Sequence, residues 1–252
     1  MRLRDGTEYD AEIIGADADA DIAVIKVNAS GLTVAVFGDS EKLGVGQDII
    51  AIGNPLGELG GTVTEGIVSA LHREVLVEDT TMNLMQISAA INPGNSGGGV
   101  FNMKGELVGV VNAGYSGGVD GLGFAIPSND AVHIAEELMK NGYVTGKTYI
   151  GISLYYTTDP FTAYRYFGSQ TPGLFVYDIV KGYNDGVLKQ GDRLTAVNGE
   201  EVVTSDDVKK VLKESKVGDK LKFTIYRDGK LMEVEVTVYE YVPDKADIDF
   251  EN

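Results

Sequence analysis

Cysteine and tryptophan are absent, proline occurs six times in 252 residues, and the two histidines are His72 and His133. Without cysteine there is no disulfide framework, no thiolate metal site and no cysteine nucleophile, although that absence assigns no redox compartment. Basic residues are scarce too: 21 Lys and Arg against 38 Asp and Glu give a net charge of −17. Residues 1–140 hold only 7 of the basic groups and 20 of the acidic ones. That balance excludes the basic footprint a nucleic acid needs, so no nucleic-acid partner is expected. No window approaches 18 uninterrupted apolar residues, and the opening MRLRDGTEYD lacks the apolar stretch of a signal peptide. What is present is ordinary globular usage, 43% apolar and 23% charged, enough for a core. The length suggests two modest domains. Glycine is abundant, and 22 of its 33 occurrences fall in residues 1–140, where tight turns must dominate.

Residues 11–112 carry short β-branched runs, Ile22–Val27, Thr33–Phe37, Asp48–Ile52, Gly66–Leu71, Leu84–Ile87 and Leu107–Asn112, separated by Gly, Asn, Asp or Pro. This spacing predicts an antiparallel sandwich or barrel, not βαβ units. A helix is predicted after Pro127, capped by Ser128 or Asn129 and ended by Gly142. Ala131, Ile134, Ala135 and Leu138 form its apolar face, and His133, Glu136, Glu137 and Lys140 its polar one. A second unit follows, with strands near Ile150–Tyr155, Gly173–Val180, Arg193–Val197, Lys220–Arg227 and Leu231–Val238 and hairpin turns at Asn198-Gly199 and Asp228-Gly229. Its helix is placed at Asp206–Glu214 with Ser205 as cap and Val208, Val211 and Leu212 turned inward. The aromatic-rich insertion from Tyr155 to Phe167 is expected to pack over a small core. The expected divisions are a first domain at 1–141, a linker at 142–148, a second domain at 149–241 and an acidic, disordered tail at 242–252. Arg2-Leu3-Arg4 before Asp5-Gly6 reads as a strand entering a hairpin, so an upstream segment is expected.

The most informative stretch is Ile91-Asn92-Pro93-Gly94-Asn95-Ser96-Gly97-Gly98-Gly99. A serine in a Gly-rich turn is exposed while backbone N–H groups converge beside it, which is the pairing of nucleophile and oxyanion hole that acyl transfer needs. A flexible Gly/Ser loop would look the same. A serine nucleophile also needs a base and an orienting acid. The order Asp21, His72, Ser96 belongs to subtilisin-like enzymes, whose helix-rich α/β fold this chain does not supply. The order Ser96, Asp120 or Asp130, His133 demands a serine elbow opening a helix, yet three glycines follow Ser96. His133 on a polar helix face and His72 beside Arg73 and Glu74 read as surface residues. The remaining order, His, Asp, Ser on a β-barrel pair, places the histidine upstream of Met1. Asp17, Asp19 and Asp21 have the first spacings of an EF-hand loop, but Ile22 stands where Gly is needed and Asn28 where Glu is needed. No metal and no cofactor are expected.

Asp21-Ile22-Ala23-Val24-Ile25-Lys26, Gly53-Asn54-Pro55-Leu56-Gly57, Thr64-Glu65-Gly66-Ile67-Val68-Ser69, Ala89-Ala90-Ile91-Asn92-Pro93-Gly94-Asn95-Ser96-Gly97-Gly98 and Gly123-Phe124-Ala125-Ile126-Pro127 together resemble the HtrA/DegP family of serine proteases. The blocks occur in family order across nearly all of residues 1–140. The resemblance implies a mainly β fold: a chymotrypsin-like double β-barrel, its first barrel incomplete here, then a PDZ β domain with a packed helix. It implies Ser96 as nucleophile and Asp21 as the acid orienting the histidine. The oxyanion hole falls at Gly94, Asn95 and Ser96, and Ile91 and Leu122 wall a P1 pocket for small or aliphatic side chains. Ser88 where Asp is usual, Gly99-Val100 in place of Pro-Leu, and the missing histidine depart from the family pattern.

The second unit resembles a PDZ domain through Tyr149-Ile150-Gly151-Ile152 and Leu188-Lys189-Gln190-Gly191-Asp192. The resemblance implies that a peptide C-terminus adds as a strand beside Tyr149, Ile150, Gly151 and Ile152, facing Val208, Val211 and Leu212. The implied activity is ATP-independent endopeptidase degradation of unfolded or damaged proteins in an extracytoplasmic compartment. Its partners would be unfolded proteins and peptide C-termini. A homo-oligomer is possible in the intact protein, and a membrane anchor only in an upstream part. The chain alone would be inactive for want of the histidine. The alternatives are a degenerate protease acting as a peptide-binding or chaperone-like module, and an adaptor using only its PDZ groove.

Overall fold

The computed structural model describes residues 1–3, 5–54, 61–77, 80–92, 94–114 and 121–243. Pro55-Leu56-Gly57, Pro93, Asp120 and the tail beyond 243 lie outside these residues. The chain divides into two compact units, Met1–Val144 and Thr145–Pro243.

The first unit opens with an antiparallel hairpin, β1 (Ala11–Asp17) and β2 (Ile22–Val27). Its turn is closed by Asp17, whose Oδ1 accepts the Ala20 N–H at 2.9 Å. Seven further strands follow: β3 (Val36–Phe37), β4 (Asp48–Gly53), β5 (Thr62–Val77), β6 (Thr80–Ile87), β7 (Gly99–Asn102), β8 (Glu106–Gly114) and β9 (Gly123–Pro127). They form one sheet in the order β3-β8-β7-β4-β5-β6-β9, and β9 also pairs back to β8, closing the six strands β4 to β9 into a barrel. Closure removes the free edges that an open sheet of this size would expose. Alternating residues fill the interior, among them Ile49 and Ala51 of β4, Met85 and Ile87 of β6, and Val108 of β8. The opposite faces of β6 and β9 place Met82, Leu84, Phe124 and Ile126 beneath α1 (Ser128–Asn141) through its buried Ala131.

Several boundaries differ from the sequence reading. The run at Thr33–Phe37 contributes only two residues, as β3 lying parallel to β8. The strand read as Gly66–Leu71 continues to Val77, because His72, at φ 54°, absorbs a register shift between Ala70 and Arg73. Neither Ser128 nor Asn129 caps α1. Pro127 holds the cap position, and the Ser128 hydroxyl donates instead to the Gly38 carbonyl at 2.8 Å. At the other end Gly142 is left-handed and its N–H reaches Leu138 O.

The second unit contains β10 (Thr148–Tyr149), β11 (Ile152–Thr157), α2 (Pro160–Phe167), β12 (Gly173–Ile179), β13 (Arg193–Val197), β14 (Glu200–Glu201), α3 (Ser205–Glu214), β15 (Lys220–Arg227), β16 (Lys230–Thr237) and β17 (Tyr239–Glu240). Its main sheet runs β11-β12-β13-β15-β16, with β14 on β13, while β10 pairs β17. Asn198-Gly199 and Asp228-Gly229 are all left-handed, as a two-residue hairpin turn requires. Leu174, Val176, Phe223 and Ile225 turn to one face, where Val208 of α3 seals the core. The N-cap of α3 is Thr204, one residue earlier than expected, because it forms a capping box with Asp207. The aromatic insertion is a helix, α2, capped by Asp159 and packed on the other face with Phe167 stacked on the buried Phe175 at 4.4 Å. Among the described residues no helix is long and apolar enough to cross a membrane.

Candidate active site

The turn bearing Ser96 is held from three sides. The Asn95 N–H donates to Asn92 O at 2.9 Å and Gly98 N–H to Asn95 O at 2.8 Å, folding the turn on itself. Gly94 and Gly97 are left-handed, at φ 96° and 80°. Asn54 N–H reaches Gly94 O at 3.3 Å, anchoring the turn to the end of β4. Gly53 must lack a side chain there, since a Cβ would overlap Asn95, whose Cα would lie 2.8 Å away. As a result Asn95 is buried and Ser96 exposed. Among the described residues the N–H groups of Gly94 and Ser96 donate to no other group, whereas that of Asn95 is engaged inward. Two free N–H groups beside an exposed hydroxyl can accept a developing oxyanion. Asn95 supports the turn from beneath, and its own N–H is not available to such an oxyanion.

The third anchor is β8. Gly97 N–H donates to Val111 O and Val111 N–H to Gly98 O, both at 2.8 Å. The next residue, Asn112, is buried and its Nδ2 donates to Asp21 Oδ2 at 2.6 Å. Consecutive residues of one strand thus grip the serine turn through the backbone and the carboxylate through a side chain. Asp21 ends the turn that leads into β2 in a left-handed conformation, φ 52°, and its side chain reaches Asn112 of β8. Asn112 was not singled out in the sequence. A polar residue ending the apolar run Leu107–Asn112 is the signal that could have found it.

Neither histidine has a described contact with Asp21 or Ser96. The His72 ring lies 3.4 Å from Asn83 Nδ2 and 4.0 Å from Glu41 Oε2. His133 lines a surface depression with Phe37, Asp39, Asn129 and Glu136. Burial, and then the neighbouring Glu41, raise the Asp130 carboxyl above the usual carboxylate range, with His72 and His133 acting against the shift.

Ile91 and the segment around Leu122 come together, because the Ile91 side chain packs where a Cβ on Gly123 would sit, 2.7 Å from its Cγ1. Both Ile91 and Leu122 are half-buried. The departures from the family pattern have local partners. Ser88 Oγ accepts the Ile67 N–H at 2.9 Å, and Gly99 leaves room for the Phe101 ring and Leu107, which would lie within 3 Å of a Cβ. Among the described residues no cluster of three or more His, Asp or Glu could hold a metal ion.

In the second unit, Tyr149 packs edge-on against Tyr183 and Tyr241, and Ile150 is buried. Gly151 is left-handed at φ 70° and packed against Tyr183, with no room for a Cβ. Ile152 begins β11, an edge strand paired only with β12 among the described residues. Val180 N–H donates to Gly151 O, so Ile152 is in a non-hydrogen-bonded pair with Ile179 and its own N–H points to the open edge. Across from it Val208 is buried and Val211 and Leu212 pack on the core. The buried Asn184 holds this loop: its Nδ2 donates to Ile150 O and Thr237 O, each at 2.9 Å, and its Oδ1 accepts Thr237 N–H at 3.0 Å. Arg227 forms a bidentate pair with the buried Asp192 at 2.6 Å and also donates to Val187 O. The Asp192 hydrogen bonds raise the guanidinium further above its ordinary value.

Comparison with known proteins matches residues 1–110 to a trypsin-like peptidase domain and residues 148–238 to a PDZ domain. The chain is 40% identical over 248 residues to the serine protease Do-like HtrA of Bacillus subtilis, covering 92% of this chain and 55% of that protein. It is 38% identical over 253 residues to a probable periplasmic serine endoprotease DegP-like of Pseudomonas putida, covering 98% of this chain and 52% of the relative. The chain therefore spans about half the length of these relatives. Among solved structures, the HtrA-type protease AlgW with decapeptide superimposes with a TM-score of 0.61 at 32% identity, covering 96% of this chain and 75% of that one.

Proposed function

The chain belongs to the HtrA/DegP family of serine proteases, a trypsin-like peptidase domain followed by a PDZ domain, and from that premise we propose that Ser96 and Asp21 are two members of its catalytic triad. The observation that carries this reading is β8, whose Val111 holds the serine turn and whose Asn112 holds the carboxylate. In the mechanism Ser96 Oγ attacks the scissile carbonyl. The N–H groups of Gly94 and Ser96 receive the negative charge that develops on its oxygen. Asp21 keeps one oxygen on Asn112 and offers the other to an imidazole, fixing its tautomer and orientation. That imidazole belongs to a histidine other than His72 or His133. With neither placed at the site, the Ser96 hydroxyl keeps its proton and the chain alone does not turn over substrate. The loss of the histidine of a triad is of the order of a millionfold in turnover. Ile91 and Leu122 would wall a pocket for small or aliphatic side chains.

We assign 1–141 to the protease domain, 142–148 to the linker and 149–241 to the PDZ domain. Substrates are taken to be unfolded or damaged proteins, cleaved without ATP. Relatives named periplasmic support an extracytoplasmic location. The PDZ groove between β11 and α3 would receive a peptide C-terminus, its carboxylate on the loop Tyr149–Ile152. The open edge of β11 also favours a second reading, a peptide-binding module with a degenerate protease. Casein digestion by the purified chain beside Ser96→Ala tests the first reading. Equal, negligible rates are expected, and rapid digestion abolished by Ser96→Ala would show that the base lies within the chain. An apolar-ended peptide and its amidated twin test the groove, since equal binding of the two would place the contact elsewhere.

A further inference from the structure

The edge strand of the second unit carries more than the terminal-carboxylate contact requires. β11 ends in two adjacent tyrosines, Tyr155 and Tyr156, each 43% exposed although each lies within a paired strand. Cross-strand partners put them on opposite faces. Tyr156 opposes the buried core residue Leu174 and so lies on the α3 side, beyond Ile152 and Leu154. Tyr155 opposes Phe175 and lies on the outer side, its ring 5.8 Å from that of Phe167 and 6.1 Å from that of Tyr177. The extra residue of the β11–β12 bulge falls on β12, so the alternation along β11 is unbroken.

Resting on the groove reading above, we propose that Tyr155 and Tyr156 form an upstream recognition site that selects peptides with aromatic side chains at the fourth and fifth residues from the C-terminus. The register follows from strand geometry. A carboxylate held at Tyr149–Ile152 lies at the start of β11, so the added strand must run antiparallel to it. Its last residue then opposes Ile152, the third from the end opposes Leu154, the fourth opposes Tyr155 and the fifth opposes Tyr156. Odd positions from the end face α3 and even positions face outward, which matches the two tyrosines to one ligand side chain each. The half-exposed rings gain a cross-strand aromatic partner and lose contact with water only when that ligand chain is present. Phe167 and Tyr177 back Tyr155 and hold its ring in place, which limits the ordering cost.

The test titrates the full chain with the hexapeptide Gly-Tyr-Phe-Val-Ala-Val, its analogue with alanine for Tyr and Phe, and the amidated form of each. Removing both aromatic side chains is expected to weaken binding at least three- to tenfold. That difference should vanish on Tyr155→Ala/Tyr156→Ala, and half of it should survive on Tyr156→Leu, which keeps the packing. Equal affinity of the two peptides for the parent chain, with amidation still abolishing both, would overturn the upstream site and leave the groove reading standing. Binding indifferent to amidation would overturn the groove reading and this inference with it.

Discussion

Asn184→Ala should loosen the candidate peptide loop and the whole second unit together. Asn184 is 2% exposed and makes three hydrogen bonds, to Ile150 O, Thr237 O and Thr237 N–H. Each such bond contributes about 1 kcal/mol net, and a buried group left without a partner costs about 1–3 kcal/mol. Water entering the space vacated by the amide would satisfy some of them, so the loss should be about 2–4 kcal/mol. Asn184→Asp should lose more, because a buried carboxylate would face two carbonyl oxygens. Ten of the 13 tyrosines lie in residues 145–243, so tyrosine fluorescence during urea unfolding reports on this unit. With a slope of about 1–1.5 kcal/mol/M, the midpoint should fall by roughly 2 M. Hydrogen exchange should accelerate at 150–154 and 236–238. A loss under about 0.5 kcal/mol, or unchanged exchange at Ile152, would refute the role given to this side chain.

Asp192→Asn strands the Arg227 guanidinium, whose side chain is 17% exposed, and should cost about 2–4 kcal/mol by urea unfolding, whereas Asp192→Asn with Arg227→Met should recover much of it. Gly53→Ala should destabilise the first unit by about 1–3 kcal/mol on calorimetry, because its methyl would overlap Asn95 beneath the Ser96 turn. Asp130→Asn should stabilise the protein at neutral pH. The folded-state carboxyl is raised, so its cost is present above that pKa and disappears once the pH falls below the unfolded value. The Asp130 carboxyl is only partly shielded from water, which keeps the gain under about 1 kcal/mol, and a melting-temperature difference that grows on acidification would point to the opposite sign.

Features written in short, local patterns are legible in the sequence itself. Asn198-Gly199 and Asp228-Gly229 demand left-handed pairs, and both positions have them. The apolar spacing of Ala131, Ile134, Ala135 and Leu138 described the buried face of α1. Local signals that compete were harder to resolve: Ser205 and Thr204 are both good caps, and only the reciprocal bonds with Asp207 decide between them. The helix α2 was masked by its aromatic content, although Asp159 before Pro160 is a helix-start signal. Asn112, Asn184 and Arg227 were not legible, because their roles come from partners 91, 53 and 35 residues away that only the folded chain brings close. The same holds for the site, where Ser96 stands out by its glycines while its link to Asp21 runs through β8.

The most direct measurement is casein digestion by a form extended ahead of Met1 with a strand bearing the triad histidine, compared with the chain alone and with Ser96→Ala and Asp21→Asn in the extended form. The chain alone should be inert and the extended form should cleave, with Ser96→Ala abolishing cleavage and Asp21→Asn reducing it by orders of magnitude. Cleavage by the extended form that survives Ser96→Ala, or Ser96-dependent cleavage by the chain alone, would contradict this reading of the triad.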